Sequence, residues 1–414
     1  MAKTTKKKTT TKKTQRAVKK AVKKAAKKNP GLVIAAVVIV AAVVVAGAIL
    51  INKGILPNPF VPNEEPSSSA IDSSLPIASN SSNSPSSHSH VDIAGVKYDD
   101  FQVHFLELGN WYTGDSVFIK AGDTDILIDA GSRYNSAEAI SSYVDQYCTD
   151  GKLEYVIATH AHEDHIAGFS GGASKNGIFY KYDIGTIIEF AKCGKEGAPL
   201  TSGVYTNYCE ARDYAVSKGA KCITALEASK SEEYKTISIG ENMTMTTLYQ
   251  RYYEDWASTE NNYSVCSLFT YKEHNFLFTG DLEKAGETSL AEKNELPQCE
   301  LYKAGHHGSK TSSNEVLLEK IKPEVVCCCA CAGSDEYTKT DINQFPTQEF
   351  VDRIKDYTDN VFVTTLSTDN ENKKYTSMNG TILFSSNGKD YAVACSNNNT
   401  ILKDTEWFKA HRTW

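Results

Sequence analysis

Short apolar runs, separated by polar turn residues, divide the chain after about residue 96 into predicted strands and helices. Strands alternate with helices and several hairpins occur among them, so the pattern predicts a mixed α/β domain in which helices cover sheets. The predicted strands are 103–108, 115–121, 125–131, 154–160, 264–271, 274–281, 300–306, 380–388 and 391–396, and the predicted helices are 136–147, 314–322 and 347–357.

A further buried strand is predicted in KPEVVCCCACAG, residues 322–333, which places four cysteines in an apolar run. Neighbouring strand residues face opposite sides of a sheet, and a buried cysteine behaves as a small apolar residue. No C-x-x-C pair is matched by a second, so a cysteine zinc site is not expected. The eleven cysteines are an odd number, and one or two disulfides are possible.

An uncharged run of twenty residues, LVIAAVVIVAAVVVAGAILI, occupies positions 32–51. As a helix it would span ~30 Å, the thickness of a bilayer core. The alternative is a cleaved signal peptide with AGA as its cleavage site, but the apolar region of such peptides is usually only about 7–15 residues long. The run therefore predicts a single transmembrane anchor at 31–52.

Charge is distributed unevenly around this anchor. Residues 1–53 contain fourteen Lys and Arg residues and no acidic residue, and the rest of the chain has thirty basic against 51 acidic residues, a net charge of −21. Basic residues before a membrane span favour a cytoplasmic N-terminus. We therefore expect a single-pass membrane protein whose folded domain lies outside the cell. The basic tail, 1–30, is expected to contact lipid headgroups, with nucleic-acid binding as the alternative.

Ser, Asn and Pro dominate the stretch that follows the anchor, and it has hardly any apolar pattern. Such a composition cannot bury a core, so 53–95 is predicted to be a flexible linker. The folded domain is then expected at 96–402, followed by a tail at 403–414. His88 and His90 lie in the linker, where nothing rigid would hold a metal ion.

The segment THAHEDHIAG, residues 159–168, carries the strongest chemical signal in the chain. Four imidazole or carboxylate ligands within six residues exceed what one ion with an open position needs. The grouping suits two ions about 3.5–4 Å apart, where a bridging water becomes a hydroxide nucleophile. Two later strands supply further candidates, because FLFTGD ends at Asp281 and KAGHHGSKTSS places His306 and His307 after a strand.

These segments resemble a known family. THAHEDHIAG resembles the HxHxDH signature of the metallo-β-lactamase fold, and DILIDAG resembles the strand and Asp that open that fold. The order of HFLELGN, GDSVFIKA, ILIDAG, THAHEDHIAG, FLFTGD and KAGHHGSKTSS is similar to the ComEC/Rec2 branch and also to phosphorylcholine esterases. The resemblance covers about 97–395 and implies an αββα sandwich with a metal-dependent hydrolytic activity.

The resemblance also implies a ligand set. His160 and His162 would bind one metal ion, Asp164 and His165 would bind the other, and Asp281 would bridge them. Histidine and carboxylate ligands without a thiolate suit Zn and also Mn or Fe. Two divalent ions, Zn or Mn, are therefore the expected cofactors.

Either His306 or His307 would complete the second metal site, and the sequence leaves open which. The other would contact a phosphate oxygen or protonate a leaving group. Asp164 and this histidine pair are the predicted catalytic residues, and Ser309 and Lys310 would hold the anionic group of the substrate.

Some features depart from the family pattern. No histidine lies between Ile166 and Glu273, so the further ligand that many members supply there is missing. Asn262, in a TENNYS segment that also contains Ser264, would take that place, or water would. Asp129 would orient the metal loop. His104 and His274 lie outside the motifs and are expected to be structural.

The expected activity is hydrolysis of a small phosphoester or of nucleic acid, with lactone or amide hydrolysis as an alternative. The branch resemblance favours a phosphodiesterase, and a ComEC-like nuclease is possible. However, nucleic-acid affinity depends largely on basic residues, and the acidic domain suits a cationic ligand better. GNWY (109–112) and LYQRYYEDW (248–256) would then supply aromatic rings for a quaternary ammonium. A non-catalytic surface binding module is the alternative of another class.

Overall fold

The structure, a computed structural model, describes residues 98–414. The predicted basic tail, the anchor at 31–52 and nearly all of the linker lie outside the described residues. Within 98–414, none of the helices has the length and apolar character needed to cross a membrane.

Sixteen strands form two eight-stranded mixed sheets in the described part of the chain. The first sheet contains β1 (Phe101–Phe105), β2 (Val117–Ala121), β3 (Thr124–Ile128), β4 (Lys152–Ala158), β5 (Asp183–Glu189), β6 (Lys221–Thr224), β15 (Ile382–Ser386) and β16 (Tyr391–Cys395). The second sheet contains β7 (Thr236–Gly240), β8 (Met243–Leu248), β9 (Cys266–Tyr271), β10 (His274–Phe278), β11 (Leu301–Lys303), β12 (Val325–Ala332), β13 (Val361–Asp369) and β14 (Lys374–Ser377).

The two sheets have related topologies. In the first the order is β16-β15-β1-β2-β3-β4-β5-β6, with parallel pairing from β3 to β6 and antiparallel pairing elsewhere. In the second the order is β14-β13-β12-β11-β10-β9-β8-β7, with parallel pairing from β10 to β13. The chain returns to the first sheet at the end, because β15 pairs with β1.

Helices cover the outer faces of both sheets, which confirms the predicted α/β sandwich. Buried apolar residues of α1, α2 and α4 join the core of the first sheet, and those of α6, α7 and α8 pack on the outer face of the second. The helices are α1 (Ser136–Val144), α2 (Glu163–Ser170), α3 (Ile178–Lys181), α4 (Gly203–Ser217), α5 (Ala225–Lys230), α6 (Lys284–Lys293), α7 (Glu315–Ile321), α8 (Gln348–Ile354) and α9 (Glu406–His411).

Aromatic side chains fill the space between the sheets. The rings of Phe101 and Phe276 stack with centroids 4.8 Å apart, and burying each such side chain stabilises the fold by about 1.5–3 kcal/mol. The predicted cysteine strand is β12, and its cysteines alternate: Cys327 and Cys329 face the inter-sheet core, whereas Cys328 faces the helices. All eleven cysteines have free thiols, so the disulfides considered possible from the sequence are not formed.

Polar segments follow β3, β4, β10 and β11 and meet at one edge of the sandwich. The Ala130 N–H donates to the His165 carbonyl at 2.7 Å, and the His306 N–H donates to the Gly280 carbonyl at 3.2 Å. At Gly131, a Cβ atom would lie 1.5 Å from the Asp164 carbonyl oxygen, so only glycine permits this approach. The motifs that are distant in sequence are therefore joined by backbone contacts.

Glu287 in α6 supports the loop that follows the histidine pair. Its buried carboxylate accepts from the backbone N–H groups of Ser313, at 2.5 Å, and Asn314, at 2.9 Å, and from the Asn314 side-chain amide at 2.7 Å. Burial outweighs these hydrogen bonds and raises the pKa of Glu287 to about 7.

We therefore expect Glu287 to make unfolding pH-dependent. Because its pKa is higher in the folded state, its contribution is fully present below about pH 4.5 and is lost as the pH rises through 7, a change on the order of 3 kcal/mol. Urea unfolding of chelator-treated protein between pH 5 and pH 8 should show a smaller decline in Glu287→Gln than in the wild type. Equal pH slopes for the two proteins would contradict this expectation.

Candidate metal centre

The HxHxDH segment lies where β4 ends and α2 begins. His160 comes two residues after β4, His162 is the residue before α2, and Asp164 and His165 occupy the first turn of that helix. Helix periodicity places consecutive residues on different faces, whereas the preceding extended backbone lets residues two apart face the same way. The four side chains fall into two groups, His160 with His162 and Asp164 with His165.

Asp164, His165, Asp281 and His307 converge with their ligand atoms within 4.8 Å of one another. Nε2 of His165 lies 3.1 Å from Oδ2 of Asp281, and Nε2 of His307 lies 3.4 Å from Oδ2 of both Asp281 and Asp164. This group, the four-ligand cluster, brings together residues from three separate motifs.

His160 and His162 form a second group beside the four-ligand cluster. Nε2 of His160 lies 3.0 Å from Nδ1 of His162 and 3.9 Å from Oδ2 of Asp281. Asp281 therefore lies between the two groups. The oxygen Oδ1 of Asn262 accepts from the Glu283 N–H at 3.1 Å, so this side chain supports the loop after Asp281, and its predicted role in place of the missing histidine stays a prediction.

The structure distinguishes the two neighbouring histidines of the HHGS segment. His307 is fully buried in the four-ligand cluster, whereas the His306 side chain is 21% exposed with its Nε2 3.7 Å from Asp281. Both have positive φ, 49° for His306 and 58° for His307, a strained backbone that often marks functional sites. His307 therefore lies among the candidate metal ligands, and the partly exposed His306 lies beside them.

Two buried aspartates orient the ligand histidines from behind. Oδ2 of Asp129 lies 2.7 Å from Nδ1 of His165 and accepts from the Thr159 hydroxyl at 2.7 Å. Oδ1 of Asp115 lies 3.0 Å from Nδ1 of His307, whose hydrogen bond goes to the Cys329 carbonyl at 2.9 Å. Such carboxylate–histidine contacts fix the ring orientation, so that Nε2 faces the metal position. Asp115 lies in the quoted GDSVFIKA segment, but sequence reasoning did not single it out.

The donor set fits divalent metal ions. Nε2 of His165, Nε2 of His307 and Oδ1 of Asp281 are buried without a hydrogen-bond partner, a costly arrangement unless a cation binds them. Burial would raise the pKa of Asp281, but the neighbouring histidines hold it well below its usual range. Burial would likewise lower the pKa of His165, but Asp281 and Asp129 raise it well above its usual range. The site thus requires positive charge at its centre.

Of three other predicted residues, only Ser264 contacts these ligands. The Ser264 hydroxyl accepts from the Asp281 N–H at 3.1 Å and lies 3.4 Å from Nδ1 of His160. The Ser309 hydroxyl contacts Thr311 at 3.1 Å, and the exposed Lys310 ammonium contacts Asn343 at 3.3 Å. Because neither of the last two contacts includes a cluster ligand, the predicted role of Ser309 and Lys310 in anion binding stays a prediction.

The aromatic residues considered for a quaternary ammonium are occupied within the chain. Trp111 is buried, and the Tyr112 ring has the Arg133 guanidinium 4.0 Å and the Lys373 ammonium 4.7 Å from its centroid. In the second segment Tyr253 is buried, and the partly exposed Trp256 ring lies under Lys192 at 4.4 Å. These rings therefore do not form an unoccupied aromatic cage for a quaternary ammonium. His104 and His274 contact Tyr143 and Ser386, away from the cluster, as expected of structural residues.

Sequence reasoning missed Tyr337 and Phe345. The Tyr337 hydroxyl donates to Oδ2 of Asp164 at 2.7 Å, and the Phe345 ring lies 5.7 Å from the rings of His306 and His307. Both follow β12 in a segment without a recognisable motif, so no local signal marks them.

We predict that Asp129→Asn weakens metal binding by about 10- to 100-fold, because an amide cannot hold the His165 ring as strongly as the carboxylate does. Competition with a chromophoric zinc chelator would measure this change. Asp123→Asn, at an exposed position outside the possible metal sites, serves as the control. Unchanged zinc affinity in Asp129→Asn would show that this contact does not tune the site.

An αββα sandwich with a buried histidine–aspartate cluster at one edge is the arrangement of a metallo-β-lactamase-fold hydrolase. A sequence model described as the metallo-beta-lactamase superfamily matches residues 109–178 and 256–330, which contain all of the cluster residues. This match confirms the resemblance drawn from the motifs.

Individual relatives are distant. Recombination protein 2 of Haemophilus influenzae is 30% identical over 104 residues, which are 25% of this chain and 12% of that protein. The metallo-beta-lactamase fold protein YhfI from Bacillus subtilis is 13% identical, with a TM-score of 0.36 over 65% of this chain and 97% of that chain. A long form RNase Z from yeast is 11% identical, with a TM-score of 0.36 over 57% of this chain and 38% of that chain.

Proposed function

We propose that this hydrolase is a phosphodiesterase that uses two divalent metal ions, Zn or Mn. The position of Asp281 between two groups of histidines is the observation that carries the proposal. His160 and His162 would hold one ion with Asp281, and the four-ligand cluster would hold the other. When bound, such a pair polarises a phosphoryl oxygen and lowers the pKa of water.

The protein's own residues would orient the substrate around this centre. His306 is partly exposed beside Asp281, so its Nε2 would contact the oxygen of the leaving group. A cavity of about 370 Å³ lies beside His162 and is lined by residues that include Leu200, Ser202 and Thr259. A cavity of this size suits one substituent of a small diester.

The charges around the site favour a small phosphoester over DNA. The Lys303 ammonium is buried and paired with Asp115 at 2.5 Å, and Arg133 is paired with Glu336 at 2.5 Å. Cations that are neutralised within the chain contribute little to binding a phosphate backbone. The occupied aromatic rings likewise argue against choline as the recognised group.

A substrate panel tests the proposal. The zinc- or manganese-loaded full chain should cleave bis-p-nitrophenyl phosphate faster than single-stranded DNA, p-nitrophenyl phosphorylcholine or nitrocefin. Asp164→Ala should abolish cleavage, and the exposed control Asp123→Ala should retain it. Preferred cleavage of DNA or of nitrocefin would instead support a nuclease or an amide hydrolase. Metal binding without cleavage of any substrate would support a non-catalytic binding module.

We also propose that 31–52 anchors the enzyme in the cell membrane, with the catalytic domain outside. The uncharged run and the basic residues before it support this orientation. Protease added to intact cells should remove the catalytic domain and spare the basic tail. Protection of the domain in intact cells, with digestion after lysis, would contradict the proposal.

A further inference from the structure

The segment 334–346, here called the site loop, covers one side of the metal centre. Its Tyr337 donates to Asp164 at 2.7 Å although the residue is 54% exposed, and its Phe345 lies against the histidine pair. The two aromatic rings are 5.5 Å apart. The loop therefore reaches a predicted metal ligand with a side chain that is also exposed to solvent.

The site loop has little regular structure of its own, because only Asp341–Asn343 form a helical turn. Near its start, Glu336 pairs with Arg133 at 2.5 Å and accepts from the Thr113 N–H at 3.0 Å. The position of the rest of the loop must come from other contacts.

Arg412 supplies several of these contacts from outside the motif region. Its guanidinium is buried and donates to three carbonyls of the loop: Asp341 at 2.8 Å, Gln344 at 2.8 Å and Pro346 at 2.9 Å. It also stacks on Trp407 of α9, 4.9 Å from the ring centroid. Charge-assisted hydrogen bonds from a planar guanidinium hold geometry more firmly than neutral ones.

We propose that Arg412 is a positioning residue for the metal centre. It fixes the site loop, the loop holds the Tyr337 hydroxyl on Oδ2 of Asp164, and this bond orients Asp164 as a ligand. Residues 406–412 thus belong functionally to the active site, although they lie outside the superfamily match. The inference rests on the proposed metal-dependent function.

The rate of zinc release to an excess of chromophoric chelator tests whether Arg412 acts on Asp164 through the site loop and Tyr337. We expect Arg412→Ala and Tyr337→Phe each to speed up release about 10-fold, and the double variant to release zinc no faster than Tyr337→Phe alone. Arg353→Ala is a matched control, because Arg353 donates to three carbonyls of 310–313 in a different loop. Its effect should simply add to that of Tyr337→Phe.

Hydrogen exchange of the metal-free protein provides a second readout that does not depend on the proposed function. Backbone amides of 334–346 should exchange faster in Arg412→Ala, and Arg412→Lys, a milder change that serves if the alanine variant does not fold, should be intermediate. A wild type that binds no zinc would refute the proposed function, and the exchange result would still test the loop. Unchanged exchange of the loop, or equal acceleration of zinc release by Arg412→Ala with and without Tyr337, would overturn the inference.

Discussion

Replacing Asp281 with asparagine should lower hydrolysis by about 10³-fold, because catalytic metal ions supply several kcal/mol of charge stabilisation and each factor of ten corresponds to about 1.4 kcal/mol. The substitution keeps the size of the side chain and removes the carboxylate that lies between the two groups of histidines. Oδ2 of Asp281 is 3.1, 3.4, 3.7 and 3.9 Å from Nε2 of His165, His307, His306 and His160.

The matched control for this prediction is Asp125→Asn. Asp125 is also buried, and its carboxylate forms an ion pair with the Lys120 ammonium at 2.8 Å, but it lies outside the four-ligand cluster. Rates of diester hydrolysis at saturating metal and the bound metal per chain should be measured for both variants. An Asp281→Asn enzyme that keeps wild-type activity and metal content would show that the centre lies elsewhere.

The second large effect concerns stability. Lys303→Met should destabilise the metal-free protein by about 3–5 kcal/mol, because removing one partner leaves a buried charge uncompensated. Lys303 is 2% exposed, its ammonium is paired with Asp115 at 2.5 Å, and it donates to the Ala304 carbonyl at 3.0 Å. Urea unfolding in the presence of a chelator measures the change.

The double variant Asp115→Asn with Lys303→Met isolates the charge effect. Since it removes both charges, it should be more stable than Lys303→Met alone, even though it also weakens the contact to His307. If the unfolding free energy of Lys303→Met is within about 1 kcal/mol of the wild-type value, the loss is well below the range for a broken buried ion pair. That result would mean that the histidines already neutralise the charge of Asp115.

The parts of the fold next to the motifs could be predicted from the sequence because their signals are local. His160, Asp281 and His306 each follow an apolar strand. The apolar run predicts the strand, and the end of the strand predicts where the side chain of the candidate ligand lies. Strand and helix ends were predicted one to several residues away from their observed positions: the strand predicted at 103–108, for example, is formed by Phe101–Phe105. Apolar residues continue past the last paired residue, and composition does not show where the pairing stops.

The stretch from β5 to β8 has strands and helices that the apolar pattern did not reveal. β6 and β7 lie at sheet edges and have few fully buried residues. Their sequences therefore lack the alternation of apolar and polar residues by which a strand is recognised. α4 is similarly obscured, because most of its residues are at least partly exposed.

The assembly of the site could be predicted only in part. The ligands are marked by their spacing, but the choice between His306 and His307 depends on the backbone turn at these residues. Tyr337 reaches Asp164 across 173 residues, and Arg412 holds the same loop through backbone carbonyls, which any residue type would offer. No sequence pattern records such contacts.

Counting the metal ions in the purified full chain tests the central claim most directly. Elemental analysis after loading with zinc and removal of excess metal should give close to two ions per wild-type chain and close to none for Asp281→Asn. Stepwise addition of a chelator should remove one ion before the other. The ion held by His160, His162 and Asp281 has three protein ligands and should leave first, because the ion in the four-ligand cluster has four. A folded wild-type chain that retains no zinc or manganese would contradict the account.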